Sequence, residues 1–517
     1  MHAKLQRESG SQTRASPNLP QQLAYVLPVL SVAFLTGPLA VVQGIYAKHF
    51  GLGLTTIAMV LLISRLFDAV TDPIIGYLSD RYHARTGSRK PFIVFGGVLF
   101  IISSYFLFVP VNLNALGADT RVSTGYFLTW FIAFYLALTL FEIPHLTWGS
   151  ELADTPEDTN TVYGLRTAAT FLGAILFYTL PLLPVFATNA FTPQTLQWAV
   201  PVAGFLMLIT LYISMQLVPT GQSTARQAEQ ASAIQNHDLK AANRPAPKQD
   251  TRWVLMRILL ANKPFLLFLG AFFLSGTGVG CCVALLFIYI DSYLSLGEHF
   301  ALVSLLSIAV ATLSLGLWRQ LANYLGKRQA WAISTAVVVV GLLGITVLVP
   351  GESGLLPLML VMILINSGLA GSGILPPSIL SDIIDYSTWK FRIDRAATHF
   401  SIYTLVVKAN AAMGGALGLA IAGWYGFEPA LSTQSADALF GVKLAMGWLP
   451  AFMVLISIVF IVLIPINAHR HSIIRRRLDA RAARSLMVAS RSFKNTLPTN
   501  TESQSTDKFM QTQAVIE

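Results

Sequence analysis

The sequence predicts an all-α polytopic membrane protein of about twelve spanning helices, arranged as two six-helix bundles. Three observations predict it. Of the 517 residues, 54% are hydrophobic and 12% charged, whereas a soluble chain carries about 25% charged residues. The apolar residues collect in stretches of about 20, the length that crosses the hydrocarbon core of a bilayer. The Lys and Arg residues behind a net charge of +10 crowd into alternate loops, the pattern that marks the cytoplasmic side.

The first bundle is expected at 22–217, after a polar tail of residues 1–21, with spans near 22–47, 55–79, 92–110, 124–148, 164–188 and 196–217. The first span has no charge from Val26 to Val42 and is too long for a cleavable signal core. The second carries Arg65-Leu-Phe-Asp68-Ala-Val-Thr-Asp72-Pro, whose spacing puts both carboxylates on one helix face with Arg65 beside them. Each such charge costs about 2.5–3.5 kcal/mol at the centre of a membrane helix. The three therefore line a wet cavity and hold something, a cation foremost. Asp80, Arg81, Arg85, Arg89 and Lys90 follow in the turn. The fourth span contains Glu142-Ile-Pro144-His145, where the proline predicts a local break that frees carbonyls. Arg166 lies near the start of the fifth. A polar connector at 218–260 closes this half, with a short amphipathic helix from Arg252 expected on the inner membrane surface.

The second bundle is expected at 261–467, with spans near 264–290, 300–319, 330–349, 354–378, 397–425 and 441–466. The seventh span holds Gly276, Gly278, Gly280, Cys281 and Cys282, and the eleventh Gly414, Gly415 and Gly418. These read as close helix packing, since two adjacent cysteines offer no disulfide scaffold or metal spacing. After the eighth span, Trp318 to Gly326-Lys327-Arg328 echoes the basic turn that follows the second. Duplicated six-span halves with matching turns point to the major facilitator architecture, in which the halves rock about a midplane site. The tenth span ends in Ser381-Asp382-Ile-Ile-Asp385, and the eleventh carries Lys408 among apolar residues. The basic tail at 468–517 turns Ser/Thr/Gln-rich and is expected to be disordered.

Paired carboxylates at Asp68 and Asp72, with the Thr71 hydroxyl adjacent, suit sodium or a shared proton. A structural ion pair with Arg65 is the competing reading, and Arg65 itself is partner or gate. Glu142, Arg166 and His145 are further polar groups of a candidate transport site; Glu142 also reads as reaching water near a helix end, and a lone His beside proline is more often a packed hydrogen-bonding residue than a proton relay. Lys408 needs an acidic partner and competes with the cation or meets the solute; snorkelling to the interface is its other reading. Asp80, Arg81, Asp382 and Asp385 sit at basic helix ends and read as gating ion pairs, the last two near Lys390 and Arg392. Nucleic acid is a poor partner because the positive charges sit at the ends of membrane helices. No nucleophile elbow, metal-ligand spacing or phosphate loop is present, so no enzyme activity, catalytic residue or cofactor is expected.

These residues resemble the glycoside–pentoside–hexuronide:cation symporters, a branch of the major facilitator superfamily. Arg65 to Gly76 looks like that family's second-helix signature, and Thr86-Gly-Ser-Arg89-Lys90-Pro91 like its following turn. Asp382-Ile-Ile-Asp385-Tyr386 and Val406-Val407-Lys408 fall at the family spacing. The resemblance implies that Asp68 and Asp72 bind the coupling cation, with Thr404 as a hydroxyl of the same site. It implies sugar contacts at Glu142 and Arg166, and a place for Lys408 near both sites. The departure lies in the first helix, where sugar-transporting members carry a Lys-Asp pair and this chain has Val32 and Ala33.

The expectation is a secondary transporter coupling a sodium or proton gradient to symport of a small organic solute, with a sugar or glycoside foremost. The alternative is a cation-coupled transporter of an amphiphile such as a lysophospholipid. Its partners are the solute, the cation and membrane lipid, with no obligate protein partner. It is expected in the cell (inner) membrane with both termini cytoplasmic.

Overall fold

The computed structural model describes residues 18–110, 122–152, 156–220, 259, 261–391, 396–466, 470–481 and 484. Among them, twelve helices are long and apolar enough to cross a membrane. They are α1 Leu19–Ala40, α2 Leu54–Thr86, α3 Lys90–Phe108, α4 Thr124–Leu152, α5 Thr161–Leu182, α6 Pro193–Leu217, α7 Lys263–Tyr293, α8 Gly297–Leu325, α9 Lys327–Thr346, α10 Glu352–Phe391, α11 Thr398–Trp424 and α12 Ala436–Leu463. The expected amphipathic segment from Arg252 falls outside the described residues except at position 259, as do Arg392, residues 1–17 and most of the terminal tail.

Local chemistry sets the helix ends. Asn18 caps α1 in a reciprocal pair with Gln21, satisfying two otherwise orphaned amides. The Gly37-Pro38 step then tightens the chain into a 3-10 turn, and a separate short helix, Val42–His49, follows. The single span expected at 22–47 is therefore two pieces, because Pro38 cannot donate to a continuing helix. Helices α2, α4 and α10 run past their apolar stretches as polar turns at the basic end, beyond what hydropathy marks. Pro144 does not break α4, which is continuous from Thr124 to Leu152. Its ring is buried, and membrane helices tolerate a proline where neighbouring groups re-satisfy the backbone it frees.

The two halves repeat one packing scheme. In the first, α1 packs on α5 and α6, α2 on α4, and α3 on α4 and α6. In the second, α7 packs on α11 and α12, α8 on α10, and α9 on α10 and α12. The same pairs recur at an offset of six helices. The halves meet mainly through α2 with α11 and α5 with α8. The α7–α11 contact is backbone on backbone: a Cβ on Gly280 would lie 2.8 Å from the Asn410 carbonyl oxygen, and one on Gly418 2.9 Å from that of Cys281. Cys281 is a buried free thiol in this seam, and Cys282 next to it is also buried and free.

At the end away from the basic turns the halves are pressed together. Lys48 reaches Asp291 at 2.6 Å, Gly44 lies under Phe287, and Phe191 meets Phe300 edge to face at 5.9 Å. At the basic end, residues 470–481 are helical, and His471 lies 3.0 Å from Asp385. The first part of the tail expected to be disordered is thus an ordered helix, held by Asp385 through His471 and Arg475 one turn apart.

Candidate functional site

Helix α2 brings Arg65, Asp68 and Asp72 to the contact between the halves. Asp68 is 5% exposed. Its Oδ2 accepts from Arg65 at 3.2 Å, while its Oδ1 is buried with no hydrogen-bond partner among the described residues. Arg65 also donates to the Tyr135 hydroxyl at 2.7 Å from α4. Asp72 Oδ1 accepts from the Thr139 hydroxyl at 3.1 Å, and its Oδ2 is engaged by the ammonium of Lys408 from α11. The lysine therefore has the acidic partner that its position demanded, supplied by the opposite half.

This layer holds two carboxylates against two fixed cations. A cation arriving at Asp68 and Asp72 finds an unpaired oxygen on the first and must displace Lys408 from the second. An all-oxygen donor set with two negative charges suits a hard small cation or a proton. The hydroxyl placed on a carboxylate is that of Thr139. Thr71 instead donates to the Phe67 carbonyl at 3.1 Å, and Thr404 to that of Phe400 at 3.0 Å. Both expected hydroxyl ligands are turned back on their own helices. Thr404 still lies one turn from Lys408 on the same face.

Further along α4, Glu142 accepts from Arg166 of α5 at 3.3 Å, with the glutamate side chain 53% exposed. Arg166 also donates to His145 Nδ1 at 2.8 Å. A guanidinium has only donors, so Nδ1 is the bare nitrogen and Nε2 carries the proton, donated to the Tyr25 carbonyl at 3.1 Å. The Tyr25 hydroxyl returns a bond to the His145 carbonyl at 2.9 Å, and the imidazole stacks on Tyr25 and Phe141. His145 is fully buried. Expected at the solute, it has both ring nitrogens engaged within the first half, Nδ1 by Arg166 and Nε2 by the Tyr25 carbonyl.

The expected gating charges pair inside their own halves. Asp80 meets Arg89 at 2.8 Å, and Arg89 also holds Glu151. Arg81 is exposed and, among the described residues, donates to the Tyr77 hydroxyl at 3.4 Å. Asp382 pairs with Lys327 at 2.7 Å and Asp385 with His471 and Arg475. The expected neighbour Lys390 lies over the Tyr386 ring instead. Among the described residues, the ion pair Lys48–Asp291 bridges the halves outside the midplane, and it is not among the expected pairs. The sequence signal available was a basic residue, Lys48, in a loop on the side opposite the basic turns. Tyr135 and Thr139 were also missed, although they share a helix face with Glu142 at i, i+4 and i+7.

Above the charged layer, between it and the closed end, lies a cavity of about 590 Å³ bounded by both halves. Arg65 and Asn410 form part of its wall.

Comparison with known proteins gives concordant findings. A family model described as MFS/sugar transport protein matches residues 15–468. An uncharacterized symporter of Synechocystis sp. is 24% identical over 82% of this chain and 89% of its own. The isoprimeverose transporter of Lactiplantibacillus pentosus is 24% identical over 78% and 80%. The sodium-dependent lysophosphatidylcholine symporter 1 of Xenopus tropicalis is 20% identical over 80% of each. Among solved structures, a D-xylose–proton symporter superposes with a TM-score of 0.59 at 14% identity, over 86% of this chain and 96% of that one. The nucleoside transporter NupG gives 0.61 at 12%, over 87% and 100%. At these identities the structures show the fold alone.

Proposed function

Because the chain belongs to the MFS/sugar transport protein family, we propose that it is a secondary active transporter that couples a sodium or proton gradient to symport of a small organic solute. The solute class favoured is a sugar or glycoside, in keeping with the isoprimeverose transporter among its relatives. The expected resemblance to the glycoside–cation symporters is borne out by that match and its neighbours. The chain is a multi-pass membrane protein, and the reading sets its basic ends in the cytoplasm of the cell membrane.

One observation carries the mechanism: Asp72 on the first half is held by Lys408 on the second. In the cation-free state this ammonium neutralises the carboxylate and ties α2 to α11. A cation bound between Asp68 and Asp72 takes over the neutralisation and frees Lys408 toward the solute. The energetic link between cation and solute is then one carboxylate with two rival counter-charges. Thr139 holds Asp72 in place, and Tyr135 and Asp68 hold Arg65. Glu142 and Arg166, the latter fixed by His145, supply the polar end of the solute site.

A second reading, transport of a lysophospholipid, is favoured by the uncharged α1 and by similarity to the lysophosphatidylcholine symporter. The test of the shared mechanism is Asp72→Asn, which should abolish gradient-driven accumulation while the protein still reaches the membrane. Accumulation equal to that of the unaltered protein would defeat the assignment.

A further inference from the structure

Between positions 470 and 484 the chain carries six arginines against one acid, Asp479, and all six are exposed. The helix at 470–481 has two unlike faces. One is docked on the protein: His471 and Arg475 meet Asp385 of α10, Ile474 is buried and Leu478 half-buried. Helical spacing gathers Ile473, Arg476, Arg477, Ala480 and Arg484 on the other. There Ile473 is 39% exposed. Among the described residues, the ion pairs of this helix run through His471 and Arg475 alone, so the arginines around Ile473 have no carboxylate.

Location narrows what can neutralise them. Arg328 donates to the Ile464 carbonyl at 2.7 Å, so α12 ends level with the basic turn after α8, and the tail helix starts a few residues on. The Arg477 guanidinium lies over the ring of Trp389 at 5.7 Å, at the inner end of α10. Arg477 and Arg481 stand one turn apart, a spacing at which like charges repel. Arginines around one exposed apolar residue, beside an indole, are the make-up of a helix that lies in the interface of an anionic leaflet. In water the same face leaves Ile473 wet and the charge uncompensated.

Resting on the reading that the basic ends face the cytoplasm, we infer that this face of the tail helix docks on acidic phospholipid headgroups of the inner leaflet. Arg476, Arg477 and Arg484 take the headgroup phosphates in charge-assisted hydrogen bonds. Ile473 enters the layer beneath them, and Trp389 anchors α10 beside it. The helix is then held from one side by lipid and from the other by Asp385.

The experiment reads the access of water to position 480. Both native thiols are buried, so Ala480→Cys in the full chain offers the exposed thiol for a fluorophore. The labelled protein is placed in nanodiscs of phosphatidylcholine, phosphatidylglycerol is added in steps, and quenching by aqueous acrylamide is followed. Protection should appear as phosphatidylglycerol is added and vanish at high salt. Each arginine at an anionic surface contributes about fivefold. Arg476→Gln with Arg477→Gln should therefore need at least about tenfold more phosphatidylglycerol for half-maximal protection, while Arg476→Lys with Arg477→Lys should stay close to the unaltered requirement. Equal protection in phosphatidylcholine alone, protection by inorganic phosphate without phosphatidylglycerol, or an unchanged requirement in the Gln pair would each overturn the inference. A nanodisc leaves both leaflets open, so orientation is tested apart. Labelling of position 480 by a membrane-impermeant maleimide in intact cells would remove the cytoplasmic placement and leave the lipid contact standing.

Discussion

Replacing Lys48 with Met should loosen the closed end of the molecule. Lys48 and Asp291 pair at 2.6 Å with side chains 35% and 10% exposed, so the pair lies between two limits. Fully exposed pairs contribute about 0–1 kcal/mol, and truncating one partner of a fully buried pair costs about 3–5 kcal/mol. Here the substitution leaves Asp291 nearly buried with Ser292 donating at 3.0 Å, which places the cost at about 1–3 kcal/mol, a roughly 5- to 150-fold change in an equilibrium. Because the pair joins opposite halves, that change falls on the balance between closed and open forms of this end. The assay begins from Cys281→Ala and Cys282→Ala, which removes both native thiols, and adds Leu286→Cys on the cavity wall. Labelling by a membrane-impermeant maleimide from outside should quicken by that factor with Lys48→Met. The charge exchange Lys48→Asp with Asp291→Lys should restore the slow rate. Unchanged labelling in Lys48→Met would refute the reasoning.

His145→Phe should keep the stacking on Tyr25 and Phe141 but leave Arg166 without its 2.8 Å acceptor; solute half-saturation should rise about tenfold with cation binding unaltered, read by paired titrations. Tyr135→Phe removes a 2.7 Å partner of Arg65 and should weaken coupling, seen as cation flux that no longer depends on solute; preserved coupling would exclude a role for that bond. Gly280→Ala drives a methyl toward the Asn410 carbonyl and should lower stability by about 1–3 kcal/mol, measured as a lower melting temperature in detergent.

Twelve spans were legible because each must be apolar over a fixed length, and the two halves because the basic turn recurs. Helix ends were not. The polar turns of α2 and α10 past the membrane carry no hydropathy signal, and the ordered start of the tail depends on His471 and Arg475 meeting Asp385 nearly ninety residues earlier in the chain. The carboxylate pair was legible from its cost in the bilayer, and the acidic partner of Lys408 from the same argument. The contacts of His145 were not, because they are set by Tyr25 and Arg166 on two other helices. A lone histidine beside proline carries no mark of which nitrogen is spoken for. Thr139 was hidden for a related reason: a threonine in a membrane helix is ordinary until the neighbouring helix shows what it faces.

The most direct test is equilibrium cation binding to the purified protein, with radiolabelled sodium and, in parallel, a pH indicator for protons. The unaltered chain should take up one cation per molecule, Lys408→Gln should bind it more tightly because the rival charge is gone, and Asp68→Asn with Asp72→Asn should bind none. Saturable binding in the doubly neutralised protein, equal to that of the unaltered chain, would contradict the assignment of the ion to these two carboxylates.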